Sequence, residues 1–544
     1  RRAFAPPWPL RLAQRSENWR DASRRLTCKT VAHLRDPALR DAARRFGVGL
    51  LTALCLLARP SAALGPAPTS PAIAESPAPP PSVIAAEALT LTARIDAILA
   101  ASNLGDATIG IHVLDLASGA TLYARNAELG QNPASNVKLV TTAAALALLG
   151  PEHRYVTRVY AGAKALHGHT IEGDLYLRGG GDPSLITADL YQLASDLRAL
   201  GITKITGGLV LDTSHFDRDE LPPGFEQKQE LVAYRAPGGA LSVNFGTYVL
   251  LTRPGGKEGE AAHAAIDPPV PSIKLENKAT TAAGARTRLR VAVEPDAKGK
   301  ALKVLLEGTI GVDAEPAEYR YPVASPAEYS AEVFELVLRQ RGIKLGKSSV
   351  TLAATPADAQ RLAIVRSQPL SVLVRSINKL SNNYMAEHIL KTLAPELPQS
   401  YVGGLARVQA WLKEIELPGE LQLGNGSGLY DNNRISPIQL THLLARVHRD
   451  FRIAGDFLAS LPIAGADGTL RNRLHETGAE RFVRAKTGTL DQVSALSGYA
   501  GALGKPPIAF SILMSGLDKW KAPKARQTQD QIAALLAAEA AARP

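Results

Sequence analysis

Three short segments along this chain carry residue types that suit acyl chemistry: Ser135-Asn-Val-Lys138, Ser381-Asn-Asn383 and Lys486-Thr-Gly488. A serine hydroxyl attacks a carbonyl only when a base takes its proton, and a lysine becomes such a base when burial or a second cation favours its neutral form. Ser135 and Lys138 stand three positions apart. At the start of a helix that spacing puts amine and hydroxyl on one face, with the hydroxyl at the positive end of the helix dipole. Lys486 could serve as the second cation. Ser381 could pass a proton to a departing amine, and the Asn383 amide could grip a peptide group. Lys486 and Thr487 offer a charge and a hydroxyl to a substrate carboxylate, with Gly488 keeping the strand surface clear. The backbone N–H groups of Ser135 and Thr489 could pair around an oxyanion.

Singly these segments are weak signals. Ser376-Ile-Asn-Lys379 repeats the first pattern, and Ser242-Val-Asn244 and Ser16-Glu-Asn18 repeat the second. Lys-Thr-Gly occurs once and lies in a run with strand character. Two other features are bland. Arg178-Gly-Gly-Gly-Asp182 lacks the Gly-Lys-Ser/Thr ending of a phosphate loop, and His167-Gly-His169 has no carboxylate or thiol at ligand spacing, so no metal is expected.

The elements that must position these residues come from both ends of the chain. Apolar periodicity predicts a helix over 89–101, strands over 109–116 and 121–124, and a helix over 135–149 that stops at Gly150-Pro151. Strands over 482–486, 494–499 and 508–514 precede a closing Ala-rich helix over 527–542. This order implies an α+β fold, with one antiparallel sheet built from two early and three late strands and flanked by helices. Ser135 and Ser381 stand 246 positions apart, too far for a simple crossover. Strand-like runs at 173–178, 208–212 and 302–306 make residues 153–355 an inserted β-rich region, leaving 89–152 and 356–544 as the core.

Of 62 Lys and Arg and 51 Asp and Glu, residues 1–64 hold 13 and 4, so the remainder carries a formal charge of only +2. A nucleic-acid partner is therefore not expected. Arg44-Arg45, an apolar run at 46–58 and Ser61-Ala-Ala63 follow the order of a secretory signal, too short for a convincing membrane span. Residues 65–88 read as a Pro- and Ala-rich linker. Both cysteines, Cys28 and Cys55, fall in the leader, so the exported part would have no disulfide and no thiol nucleophile. Membrane contact would come only through an uncleaved leader.

The three motifs, with Gly181-Asp-Pro-Ser184, Ala240-Leu-Ser-Val-Asn244, Asn425-Gly-Ser-Gly428, Asn433-Arg-Ile-Ser-Pro437 and Gly465-Ala-Asp-Gly-Thr-Leu470, resemble the class C low-molecular-mass penicillin-binding proteins. These are D-alanyl-D-alanine carboxypeptidase/endopeptidases, and the similarity spans most of residues 89–520. The resemblance implies a penicillin-recognising serine transferase fold with an all-helical region and a large insertion after the nucleophile helix. It implies Ser135 as acylated nucleophile, Lys138 as its base, Ser381 as relay, and Asn383, Lys486 and Thr487 as substrate contacts. Peptidoglycan stem peptides would be the substrates, β-lactams the inhibitors and the periplasm the location, with no cofactor. A β-lactamase sharing the acylation site, or a non-catalytic wall-binding relative, are the rival readings. The long gap argues against the compact β-lactamase arrangement, and the intact Ser135, Lys138 and Lys-Thr-Gly argue against the idle relative. Two positions depart from the family pattern: Asn382 and Asn425 each stand where Asp is common. Each change removes a charge, which bears on rate and pH optimum rather than on reaction class.

Overall fold

The structure is a computed structural model that describes residues 90–296 and 301–543; the leader, with the signal expected in it, and the linker at 65–88 lie outside them. The five-stranded sheet runs in the order Val483–Leu490, Val493–Ala502, Lys505–Ser515, Thr108–Asp115, Thr121–Arg125, with every neighbouring pair antiparallel. The first described strand thus zips onto the last, Ile111 opposite Ile512. This is the sheet assembled from both chain ends that the periodicity implies.

Alternation along these strands explains why a helical layer covers each face. Ile111, Val113, Leu496 and Ile512 point to one side and pack with Ile95, Leu99, Ile532 and Leu536 from helices Leu91–Ser102 and Ala522–Ala542. Leu114, Ala495, Tyr499 and Leu513 point to the other side. There they meet Leu139 and Leu146 of helix Val137–Leu149 and Leu443 and Leu444 of helix Pro437–Arg449. The Ala- and Leu-rich helix Val137–Leu149 is apolar around its circumference, and every residue from Val137 to Leu146 is buried. Helices Leu370–Leu380, Asn383–Thr392, Tyr401–Glu414 and Ala454–Ser460 complete the helical region.

Ser135 does not open the α-helix as expected. It lies in a 3-10 turn, Ala134–Asn136, and the α-helix begins at Val137. Pro133 cannot donate to a helical ladder, and Ala134 adopts a positive φ of 47°. The tighter turn still serves the pair, because side chains three apart nearly eclipse in it.

Between the two halves, residues 156–366 form mixed sheets around a separate apolar core. Strand Gln360–Arg366 pairs with Val156–Ala161, so the inserted sheet extends past residue 355, where the sequence suggested an end. The region is β-rich as expected, with several parallel strand pairs, and helices Thr187–Ala199 and Pro326–Gln340 pack their apolar faces into its core. The glycine corner at 179–181 is a packing device. A Cβ on Gly179 would come within 2.1 Å of the Ala240 carbonyl oxygen, and one on Gly180 within 2.4 Å of that of Val156.

Ile512, fully buried at the centre of the sheet, and Leu503, 85% exposed at a hairpin tip, give a direct check of this layering. Ile512→Ala is expected to lower stability to chemical denaturation by roughly 2–5 kcal/mol. Leu503→Ala is expected to change it by less than about 0.5 kcal/mol. Similar losses in the two variants would contradict it.

Candidate active site

Where the 134–136 turn abuts strand Val483–Leu490, the three motifs converge. Lys138 Nζ donates to Ser135 Oγ at 2.9 Å, to Asn383 Oδ1 at 2.8 Å and to the Ser427 carbonyl oxygen at 2.6 Å. Lys486 Nζ donates to Ser381 Oγ at 3.0 Å and to the Thr487 carbonyl oxygen at 2.8 Å. Both lysine side chains are buried. Burial drives the Lys138 amine well below the usual lysine range, the Lys486 charge adds to that, and Glu387 opposes it. Burial pushes Lys486 down to about 7.

Local structure fixes each group. Asn132 Oδ1 accepts from Ala134 N, and Asn136 Nδ2 donates to Ser497 Oγ, the cross-strand neighbour of Lys486. These bonds pin the serine turn to the sheet. Ser381 ends helix Leu370–Leu380 in the left-handed region, φ 56°, which swings its hydroxyl toward Lys486. Asn382 then caps helix Asn383–Thr392, its Oδ1 accepting from Met385 N at 3.0 Å. Asn and Asp cap helices about equally well, so the neutral residue meets this local need.

Gly488 has a packing role besides the one its motif suggested. A Cβ there would lie 2.7 Å from the Pro133 carbonyl oxygen and 3.1 Å from Ala134 Cβ, so the glycine lets the strand approach the serine turn. Thr489 follows on the same strand, paired with Ser494. Thr487 Oγ1 lies 2.8 Å from Thr469 Oγ1, in the Gly465–Leu470 segment. That segment is tied down by Lys379, whose amine pairs with Asp467. The second Ser-x-x-Lys match is thereby explained as scaffold: Ser376 Oγ donates to Val372 O instead. Ser242-Val-Asn244 lies in the inserted region, where Asn244 holds Thr187.

Three groups at the site were given no role by the sequence, although Ser427 lies in the Asn425-Gly-Ser-Gly428 segment. Ser427 offers its carbonyl to Lys138. Glu387 accepts from Gly426 N at 3.0 Å and Ser427 N at 2.8 Å. The Tyr234 carbonyl, from the inserted region, accepts from Asn383 Nδ2 at 3.1 Å. A carboxylate four positions beyond Asn383 on a predicted helix, and so on the same face as a motif residue, is the sequence signal that would have exposed Glu387.

An antiparallel sheet between helical layers, with a buried Ser-Lys pair facing a Lys-Thr-Gly strand, defines a serine acyl-transferase of the penicillin-binding type. A family model described as the D-Ala-D-Ala carboxypeptidase 3 (S13) family matches residues 91–538. A D-alanyl-D-alanine carboxypeptidase of Actinomadura sp. (strain R39) is 35% identical over 462 residues, which cover 81% of this chain and 84% of that protein. D-alanyl-D-alanine carboxypeptidase DacB of Haemophilus influenzae is 27% identical, with 70% and 80% covered. The crystal structure of penicillin binding protein 4 (dacB) from Haemophilus influenzae superposes with a TM-score of 0.69 at 23% identity, covering 82% of this chain and 98% of that one. The chain belongs to the D-Ala-D-Ala carboxypeptidase 3 (S13) family and is a serine-type enzyme of that family.

Asn425 shows why the second departure from Asp is tolerated here. Its Oδ1 accepts from Gly428 N and Asn433 Nδ2, while its Nδ2 donates to the Leu429 carbonyl at 3.1 Å. A carboxylate would keep the first two bonds and turn a lone pair toward a carbonyl. Asn425→Asp is expected to cost about 1–3 kcal/mol in chemical denaturation, with a larger loss at pH 8 than at pH 4. Unchanged stability at both pH values would contradict this.

Proposed function

We propose that this protein is a periplasmic serine D-alanyl-D-alanine carboxypeptidase/endopeptidase that cleaves the bond after a D-alanine in peptidoglycan stem peptides through an acyl-enzyme on Ser135. The observation that carries the reading is the coordination of Lys138. A neutral amine has two N–H groups and one lone pair. With Asn383 Oδ1 and the Ser427 carbonyl accepting the two N–H groups, the 2.9 Å contact with Ser135 is left to the lone pair, so in the neutral form that bond reverses and the hydroxyl donates to the amine.

In this mechanism Lys138 takes the hydroxyl proton as Ser135 Oγ bonds to the D-alanine carbonyl carbon. The N–H groups of Ser135 and Thr489 receive the oxyanion. The proton taken by Lys138 passes on through Ser381, hydrogen-bonded to Lys486, to the departing amine as the C–N bond breaks, which leaves Lys138 neutral again. Lys486 and Thr487 hold the carboxylate of the leaving residue. Asn383 orients both the amine and the acyl-side peptide group. Water then attacks the ester, with Lys138 as base again, and Ser135 recovers its proton. A terminal leaving D-alanine makes the reaction a carboxypeptidase step. A cross-linked stem makes it an endopeptidase step.

The strained carbonyl of penicillin would meet the same serine, and the H. influenzae protein that shares the fold is named as a penicillin-binding protein. The division of the chain that fits this reading has catalytic parts at 89–152 and from about 367 to 544 around an inserted region. Delivery to the periplasm would follow from the leader signal at 46–58. Among the described residues no helix is long and apolar enough to cross a membrane.

Fluorescent penicillin is expected to label the protein covalently, and a stem pentapeptide ending in D-Ala-D-Ala to release D-alanine. Ser135→Ala should abolish both, with at least about a thousandfold loss of peptide turnover. Persistent labelling of that variant, read by mass spectrometry, would remove Ser135 from the mechanism. Rapid lactam turnover without D-alanine release would favour a β-lactamase.

A further inference from the structure

Helix Asn383–Thr392 places Asn383, Glu387 and Lys391 on one stripe, four positions apart. Asn383 touches Lys138. Lys391 pairs with Asp217 of the inserted region. Glu387, between them, is 3% exposed. Both its oxygens accept backbone N–H groups, Oε2 from Gly426 and Oε1 from Ser427. Two N–H donors aimed at one carboxyl group favour its charged form.

Ser427 is therefore held on both sides of its Cα. Its N–H is fixed by Glu387, and the carbonyl of the same residue meets Lys138 Nζ at 2.6 Å. Gly428 lets the next residue turn tightly here. Its φ is 75°, and a Cβ would lie 1.9 Å from the Ala134 carbonyl oxygen, beside the serine turn. Without Glu387 two buried N–H groups would lose their acceptor, and the carbonyl that orients the base would lose its anchor.

Charge gives the same residue a second task. The charged groups that face Lys138 are Lys486, from the strand, and Glu387, from the helix. Around Glu387, His388 is pushed down to about 4 by burial and is neutral, while Tyr384 and Tyr401 are pushed up and stay protonated. Lys391 is occupied by Asp217, with the Asp219 carbonyl as a further acceptor. Two buried lysines and one carboxylate remain. They are neutral in sum when one lysine proton is present and the other absent, the state in which Lys138 is a base and Lys486 a cation.

We infer that Glu387 is a positioning residue for the reaction: it fixes the Ser427 carbonyl that aims Lys138, and its charge sets the pH range in which Lys138 is neutral while Lys486 is protonated. This rests on the roles of Ser135 and Lys138 proposed above. Burial leaves the Glu387 carboxyl above the usual carboxylate range, although the Ser427 hydroxyl, the two N–H groups and Lys138 pull it back down. Removing a negative charge lowers the proton affinity of nearby amines. The rate of penicillin acylation should rise with pH as Lys138 loses its proton and fall as Lys486 loses its own; the rising limb, set by the amine that Glu387 faces, should move down when the charge is lost.

The experiment measures the second-order rate of fluorescent penicillin labelling across pH for the full chain and for Glu387→Gln and Glu387→Asp, with folding checked by circular dichroism. For Glu387→Gln the rising limb is expected about one pH unit lower, with a maximum rate at least tenfold below that of the parent. Glu387→Asp, which keeps the charge but shortens the reach, should hold the limbs in place and lose at least about threefold at the maximum. An unmoved rising limb in a folded Glu387→Gln would overturn the inference, whatever its rate. Should that variant not fold, a Glu387→Asp profile matching the parent in both limbs and maximum would overturn it, and a lowered maximum on unmoved limbs would support it. Failure of the parent to label, or labelling of Ser135→Ala, would instead overturn the reading of the site itself.

Discussion

Everything at the centre of this molecule serves to keep one amine buried, hydrogen-bonded and uncharged beside a hydroxyl. An ammonium taken out of water is costly, and the protein does not give Lys138 a carboxylate in direct contact. It surrounds the amine with a side-chain amide, a peptide carbonyl and Ser135, and it places a second buried lysine nearby. Each of these choices favours proton loss. The remaining negative charge, Glu387, is set one peptide group away, where it can balance a single proton on the pair without capturing it.

Meeting that constraint takes contributions from distant parts of the chain, and the topology supplies them. The serine turn follows the first hairpin, the Lys-Thr-Gly strand belongs to the last part of the sheet, and the strands between them join the two. The helical region brings Ser381, Asn383, Glu387 and the 424–428 loop against the opposite side. The inserted region also reaches the site, since the Tyr234 carbonyl holds the Asn383 amide and Asp217 holds Lys391. One helix therefore links the base, the buried carboxylate and the insertion.

Much of this was legible in the sequence because it is written locally. Period-two alternation marks strands Thr108–Asp115 and Lys505–Ser515, and Gly150-Pro151 marks the end of helix Val137–Leu149. Ser135 and Lys138 announce their proximity by spacing alone. What was not legible depends on contacts between segments. Ser427 acts through its backbone carbonyl, which has no residue signature, and Glu387 acts across 40 positions. The glycine of Lys-Thr-Gly points at Pro133 and Ala134, a fact that only the packing reveals. The 3-10 turn at 134–136 was hidden because Ala134 takes a positive φ that its type gives no reason to expect. Conversely, the capping role of Asn382 could have been read from its place before a helical run, and the end of the insertion at strand Gln360–Arg366 needed the pairing with Val156–Ala161.

The ionisation of Lys138 tests the central claim most directly. Nuclear magnetic resonance of protein labelled with carbon-13 at the lysine Cε, titrated from pH 5 to 10 and assigned with Lys138→Arg, reports whether that amine is charged. The account predicts a Lys138 signal at the neutral-amine position at pH 7 and a second buried lysine, Lys486, changing state near that pH. Lysine signals that all remain at the ammonium position up to pH 9 would contradict it.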